Sequence, residues 1–275
     1  MRKHFIIFAV LMVIGLAAGL STAGKAITLK GSDTMLLLGQ RWAEVYMEKH
    51  PGMVIQVTGG GSGVGIAALI NGATNICQSS RSMTASEKMK LRDRYYSTGV
   101  EIPVAKDGVT LYLNEKNPIS ELTLDQIKDI YTGNTTNWSQ LGGPDTKIIV
   151  YGRENSSGTY VFFREVALKN ADYTSSMQSL PGTAAVVNAV AKDLYGIGYG
   201  GAAYAKGVKE VAIKTAKGSF KPTTETVKSG QYPLSRNLFW YLQSKPTGDL
   251  KKLVDWALSP EGQEIVKLVG YFTIK

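Results

Sequence analysis

Arg153-Glu154-Asn155-Ser156-Ser157-Gly158-Thr159 follows the apolar run Ile148–Tyr151 after one glycine, Gly152, and leads into the amphipathic stretch Tyr160–Val166. The pattern reads as strand, polar turn, helix. Such a turn places Ser157, Gly158 and Thr159 at a helix N-terminus, where backbone N–H groups lack intrahelical partners and the macrodipole is positive. Glycine admits close approach to the backbone, hydroxyls add donors, and the Arg153 guanidinium completes a setting for a small oxyanion. A second run of this kind, Gly59-Gly60-Gly61-Ser62-Gly63-Val64-Gly65, lies nearly a hundred residues upstream, after the strand-like Val54–Thr58. Two such turns so far apart in one chain suggest a single anion held between two lobes.

The better-known glycine motifs fail on the letters. A P-loop requires lysine after its last glycine, and Ile66 stands there. The dinucleotide fingerprint fails because Val64 or Ile66 occupies its third glycine position. A nucleophile elbow around Ser62 fails because Val64 replaces its final glycine.

The N-terminus reads Met1-Arg2-Lys3-His4, an apolar stretch from Phe5 to Leu20, then Ser21-Thr22-Ala23. This is the order of a cleaved signal peptide over residues 1–23, and the apolar stretch is short for a membrane span of ~20 residues. The single cysteine, Cys77, excludes an intramolecular disulfide and leaves no cysteine after the leader to carry a lipid. It reads as a small buried residue. Export to a periplasm is the expectation. The formal charge of +9 suits an anionic ligand, and without clustered Lys and Arg interleaved with aromatics it does not point to nucleic acid. Past the leader the only histidine is His50, in the turn Lys49-His50-Pro51-Gly52, with solvent as its expected environment. That leaves no multi-histidine metal site and gives a Ser-His-Asp triad no support. The chain reads as one that binds rather than catalyses, with no metal and no cofactor.

Apolar periodicity predicts strands at Ala26–Lys30, Val54–Thr58, Val109–Leu113, Ile148–Tyr151, Gly196–Tyr199 and Leu238–Leu242. It predicts helices at Met35–Lys49, with Leu36, Leu37, Trp42, Val45 and Tyr46 facing the core, and at Val64–Asn71, Ser86–Tyr95, Thr123–Tyr131, Tyr160–Val166, Thr183–Lys192, Leu250–Leu258 and Gly262–Val269. Alternating strands and helices imply an α/β protein with mostly parallel sheets. Both glycine turns then fall at strand C-terminal ends, where such folds bind anions.

Ordered blocks carry a resemblance. Gly31-Ser32-Asp33-Thr34, Gly61-Ser62-Gly63, Tyr131-Thr132-Gly133 with Asn137-Trp138, Arg153 through Thr159, Gly196-Ile197-Gly198-Tyr199 and Tyr232-Pro233-Leu234 occur in sequence order from about Ile27 to the C-terminus. The chain resembles the periplasmic phosphate-binding proteins of ABC-type phosphate uptake systems. The resemblance implies a type II periplasmic-binding-protein fold: two Rossmann-like lobes joined by a two-segment hinge, with lobe one over 24–105 and 234–275 and lobe two over 106–233. It implies inorganic phosphate as ligand, membrane ABC permease subunits as partners, and a monomer. Carried over by position, Ser32, Asp33 and Thr34 bind from the first loop, Ser62 and Gly63 from the second, and Arg153, Ser157, Gly158 and Thr159 from the opposite lobe.

The chain departs from part of that family at Arg81, where the best-known members carry an aspartate that accepts the proton of hydrogen phosphate. A guanidinium has donors only. Arg81 is expected as a second cation on the ligand, or else as a salt-bridged surface arginine. Asp33 is expected to supply the acceptor, with Glu154 in reserve and a helix-capping role as its alternative. Two other readings fit parts of the pattern: a receptor for sulfate, molybdate or tungstate, and an exported phosphate-ester hydrolase with Ser62 or Ser157 as nucleophile.

Overall fold

The computed structural model describes residues 26–274, so the signal-peptide reading of residues 1–23 lies outside the described residues. The elements in chain order are β1 (Ile27–Gly31), a 3-10 turn (Asp33–Met35), α1 (Leu36–Lys49), β2 (Ile55–Thr58), α2 (Ser62–Ile70), β3 (Ile76–Ser79), α3 (Ala85–Tyr95) and β4 (Val100–Leu113). Then come β5 (Glu121–Thr123), α4 (Leu124–Thr132), β6 (Ile149–Arg153), α5 (Gly158–Val166), β7 (Gln178–Leu180), α6 (Thr183–Lys192), β8 (Gly196–Gly201), β9 (Lys209–Thr215), β10 (Gly218–Phe220), α7 (Thr224–Lys228), β11 (Ser235–Leu242), α8 (Gly248–Leu258) and α9 (Pro260–Leu268). Among the described residues no helix is long and apolar enough to cross a membrane.

Local chemistry explains many of these boundaries. Thr84 and Glu87 form a capping box at the start of α3, and Thr123 with Gln126 forms another at α4, each satisfying N–H groups that the helix leaves open. Gly133 closes α4 in the left-handed conformation with φ 87°.

The strands run in the order β2-β1-β3-β11-β4-β8-β6-β7. β1 pairs in parallel with β2 and β3, and β6 in parallel with β7 and β8. The expectation of mostly parallel sheets is corrected at the centre, where β11 is antiparallel to both β3 and β4, and β4 to β8 and β9. The cause is the path of the chain. β4 pairs with β11 through Gly108, then pairs with β8 and β9 from Val109 onward, so one strand serves two lobes. β11 runs back beside it, and a return strand paired with an outgoing one must be antiparallel.

Each lobe has its own core. In one, Trp42 meets Trp240 edge-on at 5.0 Å and its indole N–H donates to the Gly262 carbonyl at 2.8 Å. In the other, Phe163 stacks on Tyr199 at 4.0 Å, with Tyr131 edge-on to both. The C-terminal tail ties them: Phe272 exchanges backbone hydrogen bonds with Lys106 and packs into the second core, while Tyr271 packs into the first.

Trp42 and Tyr46 are buried as the sequence predicts and Val45 packs against the same core, but the first turn of α1 departs from the expectation of Leu36 and Leu37. Met35, Leu38, Trp42 and Tyr46 are buried, whereas Leu37 is 43% exposed and Leu36 and Val45 are half-buried. The leucine run Leu36-Leu37-Leu38 offers three phases, and only Leu38 keeps a three-to-four-residue spacing with Trp42 and Tyr46. Cys77 is buried as expected, and burial pushes its thiol well above the ordinary range. His50 is exposed and stacks on Tyr46 at 3.9 Å. Replacing Leu38 by alanine should cost about 2–5 kcal/mol of unfolding free energy, and Leu37→Ala under about 1 kcal/mol. Urea denaturation of the two variants would show equal losses if the register were otherwise.

Candidate functional site

Three strand-to-helix turns meet between the lobes. β1 ends at Gly31 and hands over to Asp33–Met35 and α1. β2 leads through Gly59-Gly60-Gly61 into α2, which begins at Ser62 itself. β6 ends at Arg153 and leads through Glu154–Ser157 into α5, which begins at Gly158. Gly61 is left-handed at φ 94°, and a Cβ there would fall 2.6 Å from the Ser156 carbonyl of the other lobe, so only glycine fits.

The hydroxyls converge. Thr34 Oγ1 and Thr159 Oγ1, from opposite lobes, share a hydrogen bond of 2.8 Å. Ser62 Oγ accepts the Ser80 amide at 3.0 Å and lies 3.2 Å from Ser80 Oγ. The α-carbon of Gly158 fits so closely over Ser62 that a Cβ would collide with its hydroxyl. Thr34, Ser62, Ser80, Ser157 and Thr159 are all buried. Ser157 caps α5 by accepting the Thr159 and Tyr160 amides at 3.2 and 3.3 Å. Gly63 donates its amide across the lobes to the Ser156 carbonyl at 2.9 Å. Ser32 is buried at the start of the 3-10 turn, its backbone amide on the Gln78 carbonyl.

Arg153 is 1% exposed and spans the lobes. Its Nη2 reaches Asp33 Oδ2 at 2.7 Å and Glu154 Oε1 at 2.8 Å, Nε reaches Glu154 at 3.3 Å, and Nη1 reaches Thr183 Oγ1 at 3.0 Å. Asp33 completes its shell by accepting the Gly60 amide at 2.8 Å. The aspartate and the arginine singled out in the sequence are therefore partners of one another. Tyr204 donates to the Asp33 carbonyl at 2.7 Å, and burial raises its pKa, which keeps that hydroxyl protonated.

Arg81 is committed elsewhere. Both Nη atoms clamp Glu87, at 2.8 and 2.7 Å, which is the salt-bridged alternative rather than a cation freely presented to a ligand. Burial pulls Glu87 upward, but Arg81 and the Thr84 amide outweigh it and hold the carboxyl below its ordinary value. Glu87 therefore helps hold the Ser79–Thr84 loop at neutral pH, and that help fades as pH falls through its folded-state pKa.

Two buried charged side chains at the cleft escape sequence reading. Arg236, at the start of β11, donates from Nε and Nη2 to Asp107 Oδ2 at 3.0 and 2.8 Å, and from Nη2 to Thr159 Oγ1 at 3.0 Å and Thr34 Oγ1 at 3.4 Å. Arg236 directly follows the Tyr232-Pro233-Leu234-Ser235 block, and Asp107 lies just before the apolar end of its strand, Val109–Leu113. A charge buried in such a strand is a usable signal, because lone charges are rarely buried unpaired.

Paired helix N-termini and buried hydroxyls at one interlobe point define an oxyanion-receptor architecture, and comparison with known proteins agrees. The sequence matches the PBP superfamily domain over residues 17–261. It is 33% identical over 263 residues to the phosphate-binding protein PstS of Pseudomonas aeruginosa, covering 89% of this chain and 81% of that one. It is 34% identical over 245 residues to PstS of Staphylococcus haemolyticus, covering 85% and 77%. Among solved structures, an ABC-type phosphate transport receptor from Vibrio cholerae superposes with a TM-score of 0.73 at 28% identity, covering 90% of this chain and 99% of that one. A Clostridium perfringens protein solved with bound phosphate, and described as a candidate phosphate ABC transporter substrate-binding protein, gives 0.84 at 31%, covering 91% and 100%. The chain belongs to the PBP superfamily and, within it, to the family of PstS phosphate-binding proteins.

Because Gly158 is where α5 closes on Ser62, Gly158→Val should leave each lobe folded and hold the lobes apart. Small-angle scattering would read this as a larger radius of gyration with an unchanged circular dichroism spectrum. An unchanged radius would show that the contact does not limit closure.

Proposed function

We propose that this protein captures inorganic phosphate between its lobes and delivers it to membrane ABC permease subunits. The observation that carries the reading is the meeting of Thr34 and Thr159 hydroxyls, 2.8 Å apart, at helix N-termini of opposite lobes. A doubly charged anion is expensive to bury unless each oxygen is hydrogen-bonded. Thr34, Ser62, Ser80, Ser157 and Thr159 supply hydroxyls, Gly158 supplies a first-turn amide, and Arg153 supplies positive charge. The phosphate ligands named for the relatives support the choice of anion.

In this reading Ser32, Asp33, Thr34, Ser62 and Gly63 form the lobe-one face of the site, and Arg153, Ser157, Gly158 and Thr159 the lobe-two face. Lobe one takes residues 24–105 and 234–275 and lobe two 106–233, and closure is a hinge motion of the crossing strands. Residues 1–23 act as a cleaved leader, the protein works in the periplasm as a monomer, and neither nucleic acid nor a metal takes part. A hydrolase is disfavoured because the hydrogen-bond partners of the Ser62 hydroxyl are the Ser80 amide and hydroxyl rather than a base.

Titration calorimetry against phosphate, sulfate and molybdate tests the reading directly; preference for either of the other anions would replace it. Thr159→Val should weaken phosphate binding at least ~10-fold, as a hydrogen bond to a charged group is worth about 1.5–3 kcal/mol. Selectivity needs an acceptor for the proton of hydrogen phosphate. Asp33 supplies it, because each carboxylate oxygen holding one donor keeps a lone pair. Asp33→Asn should weaken phosphate and narrow its lead over sulfate, whereas Glu154→Gln should keep that lead. Full discrimination by folded Asp33→Asn would place the acceptor elsewhere.

A further inference from the structure

Arg153 and Arg236 differ in what they have left to give. Four of the five N–H donors of Arg153 are committed, to Asp33, Glu154 and Thr183. Arg236 is buried, and its Nη1 has no hydrogen-bond partner among the described residues. Its Nη2 already touches both threonine hydroxyls at the point where the lobes meet. Nη1 is bonded to the same guanidinium carbon as the nitrogen that touches those hydroxyls.

The guanidinium is held in place from two sides. Asp107 Oδ2 takes both Nε and Nη2, and the Phe162 ring lies 5.1 Å from the guanidinium carbon. Arg236 and Asp107 are direct register partners of β11 and β4. They form a cross-strand ion pair where β4 passes from one lobe to the other. Asp107 is itself buried, with Oδ1 unpartnered among the described residues. Beside Arg236 a cavity of about 510 Å³, lined by Ser80, Arg81, Phe162, Glu165 and Asn237, adjoins the hydroxyl cluster. A buried donor without an acceptor is costly, and so is a buried ion pair whose outer atoms are left bare. An anion seated on the threonine hydroxyls removes the first of these costs.

We propose that Arg236 is a second guanidinium that grips the anion directly, with Asp107 as the positioning carboxylate that aims it, alongside Arg153, which also locks the lobes through Asp33. The proposal rests on the oxyanion-receptor reading and deepens it: the ligand is held by the hinge strands as well as by the two lobes. Closure and binding are then coupled at the crossing itself, because the ligand's charge partner is carried by the segment that bends.

The test is calorimetry of the full chain with inorganic phosphate, with sulfate and molybdate titrated in parallel. Arg236→Gln should lower affinity at least ~30-fold, the loss expected when a buried charged partner is removed. Arg236→Lys should recover part of it, since lysine keeps the charge but loses the fork. Asp107→Asn should weaken binding less than Arg236→Gln, and a structure of its phosphate complex should show the guanidinium displaced. Should Arg236→Gln fail to fold around an unpaired Asp107, the double variant Asp107→Asn/Arg236→Gln removes both charges and carries the same expectation. A phosphate-bound structure of the unaltered protein should place an Arg236 nitrogen ~2.7–3.1 Å from a ligand oxygen. Affinity within ~3-fold of the unaltered protein in folded Arg236→Gln or the double variant would overturn the proposal, as would a bound anion touching Arg153 and not Arg236. If the unaltered protein binds sulfate or molybdate in place of phosphate, the choice of anion fails while the Arg236 variants still decide the proposal with that anion. Binding of none of the three would overturn both.

Discussion

The Arg153–Asp33 ion pair, 2.7 Å long and drawn from two lobes, is the constraint on which the cleft depends. Arg153 is almost wholly buried, and a buried guanidinium deprived of one partner costs about 3–5 kcal/mol. The lobes can approach only in the arrangement that brings the end of β6 against the turn after β1. That arrangement fixes the rest: Thr159 meets Thr34, Gly158 rides over Ser62, and the Gly63 amide finds the Ser156 carbonyl. None of these contacts is local in sequence. Each becomes possible once the ion pair has set the approach.

The charges around the cleft do not sum to a positive well. Asp33, Glu154 and Asp107 surround two guanidiniums, so an anion placed here is not drawn by excess charge. Its stabilisation has to come from short-range donors whose dipoles are already oriented: the N-terminal ends of α2 and α5, and hydroxyls whose geometry the backbone fixes. A carboxylate-rich rim also favours a ligand that brings a proton to share over one that brings only lone pairs. The general basicity of the sequence is thus a weak guide to the site, since most of its lysines lie on the exposed surface.

The turns were legible because their chemistry is local. A strand ending in Arg153, followed by Ser-Gly-Thr and an apolar periodicity, has few other readings, and Ser157 caps α5 through its own side chain. Gly61 and Gly158 announced close backbone approach. Legibility ended where long-range partners decide. The sequence offers Arg81 beside two serines, yet the capping box of α3 places Glu87 six residues on, within reach of both guanidinium nitrogens. Trp42 and Tyr46 show the core face of α1, but three consecutive leucines satisfy helical periodicity in three ways, and only the neighbouring sheet selects Leu38. The short strands β3, β5, β7 and β10 lacked a recognisable alternation, their placement being set by pairing partners distant in the chain.

The crossing strands show the same division more sharply. β4 carries Lys106-Asp107 just ahead of its apolar end, and β11 opens with Ser235-Arg236 after a turn; neither fact identifies a site alone. Their meaning appears only when antiparallel pairing sets Arg236 opposite Asp107. A parallel sheet would not put these residues in register, because the return strand would run the other way. The departure from parallel pairing at the centre of the sheet is therefore more than a detail of topology. It carries a buried charge pair to the base of the cleft, on the strands that must flex when the lobes separate. The Lys106–Phe272 backbone pairing adds a third segment beside them, so the C-terminal tail also meets the crossing.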